Sequence, residues 1–340
     1  MTSTAEIVLP GAVEPGGLEL RHRTLPAPAE GQVLVRVEAS GVSFAEQQMR
    51  RAKYYDQPPF PFVPGYDLVG VVTAVGPGVD RAMVGGRYAA LTKTGGWTST
   101  ALLDSADLVP VPDGVDPAEA ETVVVNGITA WQMLHRIAKV RSGQTILVLG
   151  ANGGVGSTLV QLARHAGVRV IGTASARHHD AVRALGATPI DYRASDVVAQ
   201  VRALAPNGVD AVFDHVGGPG IVDSYDLLAP RGTLVSYGTA ATRDDVGSSR
   251  LPVLKLFARL LWWNALPNGH KASFFNIWAG KRNRAKFLAK LHEDLGKVFE
   301  LLAAGVLTAQ VAARVPLAEA AAAMELAESG TVVGKVVLVP

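Results

Sequence analysis

The chain contains no cysteine, and this absence excludes several kinds of chemistry at once. Disulfide bonds, thiolate nucleophiles and zinc sites with a cysteine ligand all require a residue that the sequence does not have. An excess of one charge is missing as well, because 32 Lys and Arg stand against 30 Asp and Glu among 340 residues. The basic residues are scattered and form no stripe, so we expect no nucleic-acid partner.

Long hydrophobic runs are also absent. The most apolar stretch, LLWWNAL at 260–266, is short, and the segment before it is interrupted by charged residues. A membrane-spanning helix needs about 20 apolar residues, so we expect no membrane span. The first residues, MTSTAEIVLPGAVEPGG, have neither the basic start nor the apolar run of a signal peptide. Together with the missing cysteines, this favours a cytoplasmic protein.

The residues that are present fall into two patterns. Up to about residue 125, short segments such as VLVRV (33–37) and VGVVTAV (69–75) alternate with turns, which predicts a mostly β region. From about residue 126, predicted strands and helices alternate, which is typical of an α/β fold with a doubly wound parallel sheet. The predicted strands are 145–150, 168–175, 189–192, 209–217 and 232–238. The predicted helices are 128–140, 154–167, 179–187, 197–206, 221–229 and 286–304.

A glycine-rich turn follows the first predicted strand of this sheet. The strand continues into Gly-Ala-Asn-Gly-Gly-Val-Gly at 150–156 and then into a helix. Glycines allow a tight turn and a close approach of the backbone to phosphate, while N–H groups at the helix N-terminus face the anion. The flanking strands and helix distinguish a dinucleotide site from the alternative, a glycine turn of an unrelated protein. We therefore expect Asn152, Gly153, Gly154 and Val155 to contact a dinucleotide.

The end of the second predicted strand indicates which dinucleotide binds. Enzymes that use NAD usually place an acid there to hold the ribose hydroxyls. This chain has Gly-Thr-Ala-Ser-Ala-Arg at 172–177, without an acid. Ser175 and Arg177 can bind a 2′-phosphate, which predicts NADPH. The alternative is that Arg177 is a solvated residue that opens the next helix, and His178 and His179 are interpreted as exposed surface residues.

Further cofactor contacts are expected where the fourth and fifth strands end, because ligands bind at the carboxyl ends of strands in such sheets. These residues are Gly217, Gly218, Tyr237, Gly238 and Thr239. Asp214 and His215 resemble a catalytic pair at first sight. They precede a glycine turn, however, so we assign them to packing and to the hydrogen bonds of that turn.

Seven segments, in the same order along nearly the whole chain, resemble the medium-chain dehydrogenase/reductase superfamily. The resemblance is to its zinc-independent quinone oxidoreductase and enoyl reductase branch. The segments are GVSFAEQQMR (41–50), PGYDLVGVVTAVGPGV (64–79), NGITAWQML (126–134), GANGGVGSTLVQLAR (150–164), VFDHVGG (212–218), LVSYG (234–238) and TVVGKVVL (331–338). This set is far more specific than the glycine turn alone.

The resemblance implies a GroES-like catalytic domain formed by residues 1–125 and 306–340. It implies a Rossmann domain formed by residues 126–305, here with an aromatic-rich insertion near 250–280. The β-like segment GKVVLVP at the end of the chain fits a return to the first domain. The active site of similar proteins lies in the cleft between the two domains. Such proteins are commonly dimers or tetramers, and we expect a homodimer.

The chain departs from the zinc-dependent members of this superfamily. Those relatives carry Gly-His-Glu at the start of a central strand, a catalytic cysteine and a lobe with four cysteines. This chain has Gly65-Tyr66-Asp67 at the first of these places and no cysteine anywhere. A catalytic zinc needs three protein ligands, so we expect no metal and a direct hydride transfer from NADPH. The expected substrate is an apolar carbonyl compound or a quinone.

The resemblance also suggests a catalytic residue. Tyr54 lies where quinone and enoyl reductases of this branch often place a tyrosine near the nicotinamide. It is therefore our candidate, either as a proton donor or as a hydrogen-bond partner of the cofactor. A purely structural Tyr54 is the alternative, and Tyr55 is the neighbouring candidate.

Four other positions follow from the same resemblance. Ser43 takes the place of a polar residue, often Asn, that contacts the cofactor, and Glu46 stands where Asp is common. Glu46 is equally compatible with a surface or helix N-terminal charge. Thr129 resembles a threonine that meets the nicotinamide, and Tyr192 matches an aromatic residue beside the adenosine, with strand packing as its alternative.

Two functions remain open on the sequence alone. The first is an NADPH-dependent reductase of quinones, enones or enoyl thioesters, with a tailoring reductase or a redox-neutral NADPH-using enzyme of a biosynthetic pathway as variants. The second is a protein that binds NADPH without turnover. The helical spacing of Leu254, Phe257 and Leu261, with neighbouring Trp262 and Trp263, favours core or subunit packing. One alternative is that Trp262, Trp263, Phe274, Phe275 or Trp278 form the wall of an apolar substrate pocket, and a membrane-surface role is the other.

Overall fold

The structure, a computed structural model, describes residues 2–193, 196–242 and 250–340, without the side chains of 242 and 250–253. The chain forms two compact units. One unit comprises Met1–Ile128 and Gly280–Pro340, and the other comprises Thr129–Ala279. The first unit is therefore discontinuous in sequence. No helix within the described residues is long and apolar enough to cross a membrane.

The first unit is built on a seven-stranded sheet. Along the sheet, the strands are Val311–Pro316, Lys335–Val339, Gln32–Val42, Asp67–Val75, Arg87–Leu91 and Leu108–Pro110, with Thr100–Asp104 also paired to Gln32–Val42. All pairs are antiparallel except the first. The strand Lys335–Val339, which contains most of the segment GKVVLVP, enters this sheet through the pair Val336–Val42. Two further strands, Thr2–Val8 and Glu19–Leu25, form a separate antiparallel pair.

The core of the first unit lies on both faces of this sheet. Successive side chains of a strand point to opposite faces, and these strands are rich in apolar, β-branched residues. One cluster contains the buried side chains of Val35, Leu68 and Val72. The other surrounds Trp97, which is fully buried and donates its indole N–H to the Gly41 carbonyl at 2.9 Å. The helices associated with this unit are Phe44–Arg50, Pro117–Thr122, Val124–Trp131, Arg284–Ala303 and Ala320–Glu328, of which Val124–Trp131 continues into the second unit.

The second unit contains a six-stranded, entirely parallel sheet. Its strands in chain order are Thr145–Val148, Arg169–Ala174, Thr188–Asp191, Val209–Asp214, Leu228–Ser236 and Lys271–Phe274. Numbered in that sequence, they lie in the sheet in the order 3-2-1-4-5-6, which is the doubly wound Rossmann arrangement. The predicted fold class is thereby confirmed. The helices of this unit are Gly154–His165, His179–Leu185, Val197–Leu204, Ile221–Asp226 and Arg250–Ala265, preceded by the π-helix Gln132–Ala138.

The sheet has one strand that the sequence analysis did not identify. Lys271–Phe274 pairs with Leu228–Ser236 at the edge of the sheet. Its sequence, KASF, is too short and too weakly alternating to signal a strand. Hydrogen bonding to the longer strand Leu228–Ser236 stabilises the extended conformation that the sequence KASF does not specify by itself.

The helix Arg250–Ala265 presents apolar residues on two sides. Trp263 is buried and stacks on Tyr225, with ring centroids 4.2 Å apart and an interplanar angle of 4°. Leu254, Phe257 and Leu261, by contrast, are exposed, and Leu261 keeps 73% of its surface accessible. Core packing is therefore the wrong interpretation for these three residues and correct for Trp263.

Candidate functional site

The predicted cofactor residues of the second unit lie along one edge of its sheet. Parallel strands end at a common edge, and the register shows which ends are neighbours: Ala174 pairs with Asp191, and Asp214 pairs with Ser236. The turns that follow these strands therefore share the carboxyl edge of the sheet, where α/β proteins bind their ligands. The predicted residues on this edge are Asn152, Gly153, Gly154, Val155, Ser175, Arg177, Tyr192, Gly217, Gly218, Tyr237, Gly238 and Thr239.

The glycine turn has the close backbone contacts that the sequence pattern predicts. Gly150 adopts a left-handed conformation with φ +65°. A Cβ atom on Gly156 would lie 2.2 Å from the Gly150 carbonyl oxygen, so only glycine fits there. The helix begins at Gly154 with Gly153 as its N-cap, and the N–H groups of its first turn have no acceptor within the helix. This turn thus fits a pyrophosphate group, for which free N–H groups and close backbone approach are required.

Three turns meet at this edge. A Cβ on Gly150 would lie 2.4 Å from the imidazole of His215, and a Cβ on Gly238 would lie 2.5 Å from the carbonyl oxygen of the same residue. Gly217 approaches the Gly238 carbonyl similarly, since its Cβ would be 3.1 Å away. Tyr237 is partly buried, and burial, followed by the charge of Asp214, raises the pKa of its hydroxyl. The turn residues are therefore packed against one another before any ligand binds.

Asp214 serves this packing, as its interpretation from sequence requires. Its Oδ1 accepts hydrogen bonds from the N–H groups of Val216 and Gly217 at 2.7 and 2.8 Å. Its Oδ2 accepts the Ser224 hydroxyl at 2.8 Å. Burial lowers the pKa of His215, although Asp214 opposes the shift, so the imidazole is neutral near pH 7.

The ends of the second and third strands place polar groups side by side. Ser175 is buried directly after the second strand, Arg177 is exposed two residues later, and Tyr192 is 52% exposed after the third strand. The guanidinium of Arg193 lies 5.6 Å from the ring centroid of Tyr192. Arg193 was not among the predicted residues, although Asp-Tyr-Arg at 191–193 places a second cation next to Tyr192.

One histidine assignment is wrong. His178, expected on the surface, is 6% exposed. It ends the short 3₁₀ turn after Ser175 and begins the packing of the next helix, which draws its ring inward. His179 is partly buried, and its Nε2 lies 3.3 Å from the Ala174 carbonyl.

The first unit contains the remaining predicted residues of this set, Ser43 and Tyr54, whereas Thr129 is buried in the helix that enters the second unit. Ser43 precedes the helix Phe44–Arg50 and donates its backbone N–H to Glu46 Oε2 at 2.9 Å. Its hydroxyl oxygen is shielded from solvent and has no hydrogen-bond partner within the described residues. An unpaired buried hydroxyl is costly, so this atom fits a contact with a bound polar group.

Glu46 is 1% exposed, which corrects the alternative of a surface charge. Besides Ser43, its carboxylate accepts the backbone N–H of Tyr66 at 2.6 Å. Burial and then the nearby charge of Asp67 raise the pKa of Glu46 from 4.5 to about 8, although Lys335 lowers it in part. The group is therefore mostly protonated at pH 7 and joins the first helix to the start of the strand Asp67–Val75.

A buried charged cluster lies beside Glu46 and was not identified from the sequence. Lys335 Nζ binds Asp67 Oδ2 and Glu121 Oε1, each at 2.7 Å, and all three side chains are at most 2% exposed. Burial and then Asp67 raise the pKa of Glu121 well above its ordinary value. Burial alone would lower the pKa of Lys335, but the two acids outweigh it and raise the pKa. The Lys335 cation thus compensates the buried acids, and the raised pKa of Glu121 disfavours a second buried negative charge.

Tyr54 is partly buried in the segment between the first helix and Asp67–Val75. Its hydroxyl lies 2.7 Å from the hydroxyl of Tyr66, which is 3% exposed. Burial, followed by the effects of Tyr66 and Tyr55, raises the pKa of Tyr54. The phenol is consequently neutral throughout the physiological pH range and can donate a hydrogen bond or a proton.

Two family models match the chain. The alcohol dehydrogenase GroES-like domain matches residues 29–113, and the zinc-binding dehydrogenase model matches residues 185–338. The mycobacterial protein Rv1454c, solved as a complex with NADPH, is 30% identical, with a TM-score of 0.84 over 99% of this chain and 100% of that one. The chain belongs to the medium-chain dehydrogenase/reductase superfamily. Within this superfamily it belongs to the zinc-independent quinone oxidoreductase and enoyl reductase branch.

Two other members of the superfamily are similar over different extents. Escherichia coli quinone oxidoreductase, also solved with NADPH, is 25% identical, with a TM-score of 0.85 over 99% of this chain and 100% of that chain. The human synaptic vesicle membrane protein VAT-1 homolog is 39% identical over 249 residues, which are 73% of this chain and 62% of that protein. This chain therefore spans about three fifths of the length of that relative.

The second family model is named for zinc binding, but this medium-chain dehydrogenase/reductase lacks the zinc ligands of the zinc-dependent members. Tyr66 stands where zinc-dependent relatives have histidine, and the following acid, Asp67, is bound to Lys335. Within residues 2–193, 196–242 and 250–340, no group of three or more His, Asp or Glu side chains is arranged to hold a metal ion. The donor set of this chain does not fit a catalytic zinc.

Proposed function

We propose that this chain is an NADPH-dependent, zinc-independent oxidoreductase that transfers hydride to a quinone, an enone or an enoyl thioester. The observation that carries the proposal is the carboxyl edge of the parallel sheet. There, a glycine turn suited to pyrophosphate stands next to an acid-free strand end at Ser175. The NADPH complexes of Rv1454c and of the E. coli quinone oxidoreductase support the same cofactor.

Different residues of this chain bind different groups of NADPH in this proposal. The turn at 152–155 binds the pyrophosphate, and Ser175 and Arg177 bind the 2′-phosphate, with Tyr192 beside the adenosine. Thr129 would contact the nicotinamide end, and Ser43 and the turns at 217–218 and 237–239 would be further contacts of the cofactor. Bound NADPH supplies the hydride, while the protein orients it and excludes water.

Tyr54 completes the reaction in this proposal. Reduction of a conjugated carbonyl or a quinone requires a proton in addition to the hydride. The Tyr54 hydroxyl is the proton donor, and the proton moves to the α-carbon or to the oxygen of the substrate. Water returns a proton to the phenolate afterwards. The raised pKa of Tyr54 disfavours the phenolate, so the transfer requires a hydrogen bond that stabilises the phenolate as it forms.

We also propose that the protein acts as a homodimer. The exposed apolar side chains of Leu254, Phe257 and Leu261 lie next to the edge strand Lys271–Phe274, since this strand contacts their helix. Exposed apolar patches and open sheet edges commonly mark subunit contacts. Light scattering after size-exclusion chromatography measures the molar mass, and Leu261→Glu is expected to shift it from the dimer to the monomer. A monomeric wild-type protein would contradict this part of the proposal.

The activity is tested by following the absorbance of NADPH with a panel of quinones, enones and enoyl thioesters. We expect consumption with at least one class, and a loss of roughly 100-fold in kcat for Tyr54→Phe, the range of general acid catalysis. Binding of NADPH is measured separately by its fluorescence. Tight binding without consumption of NADPH by any substrate would contradict the enzyme and favour a protein that binds NADPH without turnover.

A further inference from the structure

A second tyrosine is hydrogen bonded to Tyr54. The hydroxyl oxygens of Tyr54 and Tyr66 are 2.7 Å apart, and the two rings meet edge to face at 82° with centroids 6.3 Å apart. The distance is ordinary for a hydrogen bond between hydroxyl groups. The two residues are 12 positions apart, so the pair is a tertiary contact.

Tyr66 is the fixed member of this pair. Its side chain is 3% exposed, and its backbone is held on both sides. The N–H donates to Glu46 Oε1 at 2.6 Å, and the carbonyl accepts the Thr92 N–H at 2.8 Å. The next residue, Asp67, is fully buried and bound to Lys335. The phenol of Tyr66 therefore projects from one of the most tightly anchored points of the first unit.

Tyr54 lacks such an anchor in its own segment. It lies outside helices and strands, after the helix Phe44–Arg50 ends. Its ring contacts Tyr55 at a centroid distance of 4.7 Å. Tyr55 is 44% exposed. The Tyr54 phenol thus lies between the exposed ring of Tyr55 and the buried Tyr66, to which it is hydrogen bonded.

We propose that Tyr66 is a positioning residue that fixes the direction of the Tyr54 hydroxyl for proton transfer. The inference rests on the proposed function, in which Tyr54 donates the proton. A loop-borne phenol can rotate about two side-chain bonds, and a hydrogen bond to a rigid partner restricts that rotation. When the Tyr54 O–H bond breaks and the proton bonds to the substrate, the Tyr66 hydroxyl donates a hydrogen bond to the resulting phenolate and keeps its own proton. A proton from water then restores the Tyr54 phenol.

The test is a double-mutant cycle on the two phenols. Tyr66→Phe removes only the hydroxyl and is expected to lower kcat by about tenfold, while the Kd of NADPH and the KM of the substrate change little. In the Tyr54→Phe background, the same substitution is expected to have no further effect on kcat, because Tyr66 acts through Tyr54. Tyr88→Phe, in the strand Arg87–Leu91 of the same unit, is the matched control and is expected to keep the wild-type kcat.

Two kinetic outcomes would overturn the inference. One is that Tyr66→Phe leaves kcat unchanged in a protein in which Tyr54→Phe lowers it. The other is that the effects of the two substitutions on kcat multiply, since independent roles would then apply. The thermal midpoints of Tyr66→Phe and Tyr88→Phe are therefore compared. If the midpoint of Tyr66→Phe falls together with its kcat, the loss of kcat comes from unfolding and the positioning role is refuted.

A second measurement does not depend on turnover. In protein labelled with ¹³C at Cζ of its seven tyrosines, the Tyr54 signal is assigned by its disappearance in Tyr54→Phe. Tyr66→Phe is expected to shift this signal, whereas Tyr88→Phe leaves it in place. A shifted signal without any catalytic effect of Tyr54→Phe would refute the catalytic role of Tyr54 in the proposed function. An unshifted signal would refute the Tyr54–Tyr66 contact itself.

Discussion

The glycine turn of the second unit and the charged cluster of the first unit hold their residues in place by different means. In the second unit, the backbone approaches itself so closely that a Cβ on Gly156 would lie 2.2 Å from a carbonyl oxygen. In the first unit, the side chains of Asp67, Glu121 and Lys335 are buried as a charged cluster. The glycine turn thus depends on positions without side chains, whereas the charged cluster depends on ionisable side chains that are buried together. The comparison indicates that substitutions will act through steric overlap at the glycine turn and through charge at the cluster.

The largest expected effect concerns the charged cluster. Lys335→Met leaves Asp67 and Glu121 buried without their cation, and we expect a loss of about 3–5 kcal/mol in the free energy of unfolding. Urea denaturation measures this loss. Arg314→Met is the control, since Arg314 pairs with Asp116 at 2.8 Å but both side chains are solvent-exposed, and it is expected to cost less than about 1 kcal/mol. Equal losses for the two variants would remove the contrast between buried and exposed pairs.

The next effect concerns the glycine turn. Gly156→Ala places a Cβ against the backbone of Gly150, which cannot move aside, and we expect a loss of about 1–3 kcal/mol in stability together with weaker NADPH binding. Gly153→Ala is the matched control, because the nearest atom to its Cβ is 3.4 Å away. This control is expected to keep the thermal midpoint of the wild type. Equal destabilisation by both substitutions would show that steric overlap does not govern this turn.

A pH-dependent effect is expected for Glu46. Its raised pKa means that the folded protein keeps a proton that the unfolded chain releases, so this group lowers stability as pH rises from 4.5 to about 8. The slope reaches at most about 1.4 kcal/mol per pH unit. Glu46→Gln cannot titrate, and its stability, measured by urea denaturation across this range, is expected to lack this part of the slope. Identical slopes for wild type and variant would refute the burial of a protonated Glu46.

The smallest expected effect lies on the surface of the second unit. Arg177→Ala removes a cation from the 2′-phosphate site, and we expect about a tenfold rise in the Kd of NADPH, or about 1.4 kcal/mol, with little change for NADH. Fluorescence titration with both cofactors measures the difference. Arg183→Ala removes an exposed arginine that pairs with Asp180 and is expected to change neither Kd. Equal weakening of NADPH and NADH by Arg177→Ala would refute the 2′-phosphate contact.

The alternating strands and helices of the second unit could be predicted because their signals are local. Apolar strands of four to nine residues and the glycine turns between them can be identified from the residues of each segment alone. The edge strand Lys271–Phe274 escaped prediction because its pairing with Leu228–Ser236, and not its composition, makes it a strand. For the same reason, the helix predicted to begin at Ile128 begins at Val124, where the N–H of Val125 donates to Asp67 Oδ2, a residue 58 positions away.

The predicted cofactor positions of the second unit share one sheet edge because the strand order and the glycine turns were both legible in the sequence. His178 was misplaced because exposure depends on how the next helix packs. Glu46 was left undecided between the position where the family commonly has Asp and a surface or helix N-terminal charge, since a capping position looks the same in sequence whether it is buried or exposed. The partner of Tyr54 was not foreseen at all, because a hydroxyl–hydroxyl contact leaves no pattern in the sequence.

The sequence by itself determined the superfamily, the Rossmann sheet and the glycine turn, and it excluded cysteine-dependent chemistry. These conclusions depend on residue types, on their spacing over a few turns of chain and on the order of motifs. Only the tertiary structure decided that Lys335 meets Asp67, 268 positions away, and that the Tyr66 hydroxyl meets Tyr54. The physical reason is that burial and ion pairing depend on distances in space, which folding sets and which separation along the chain does not record.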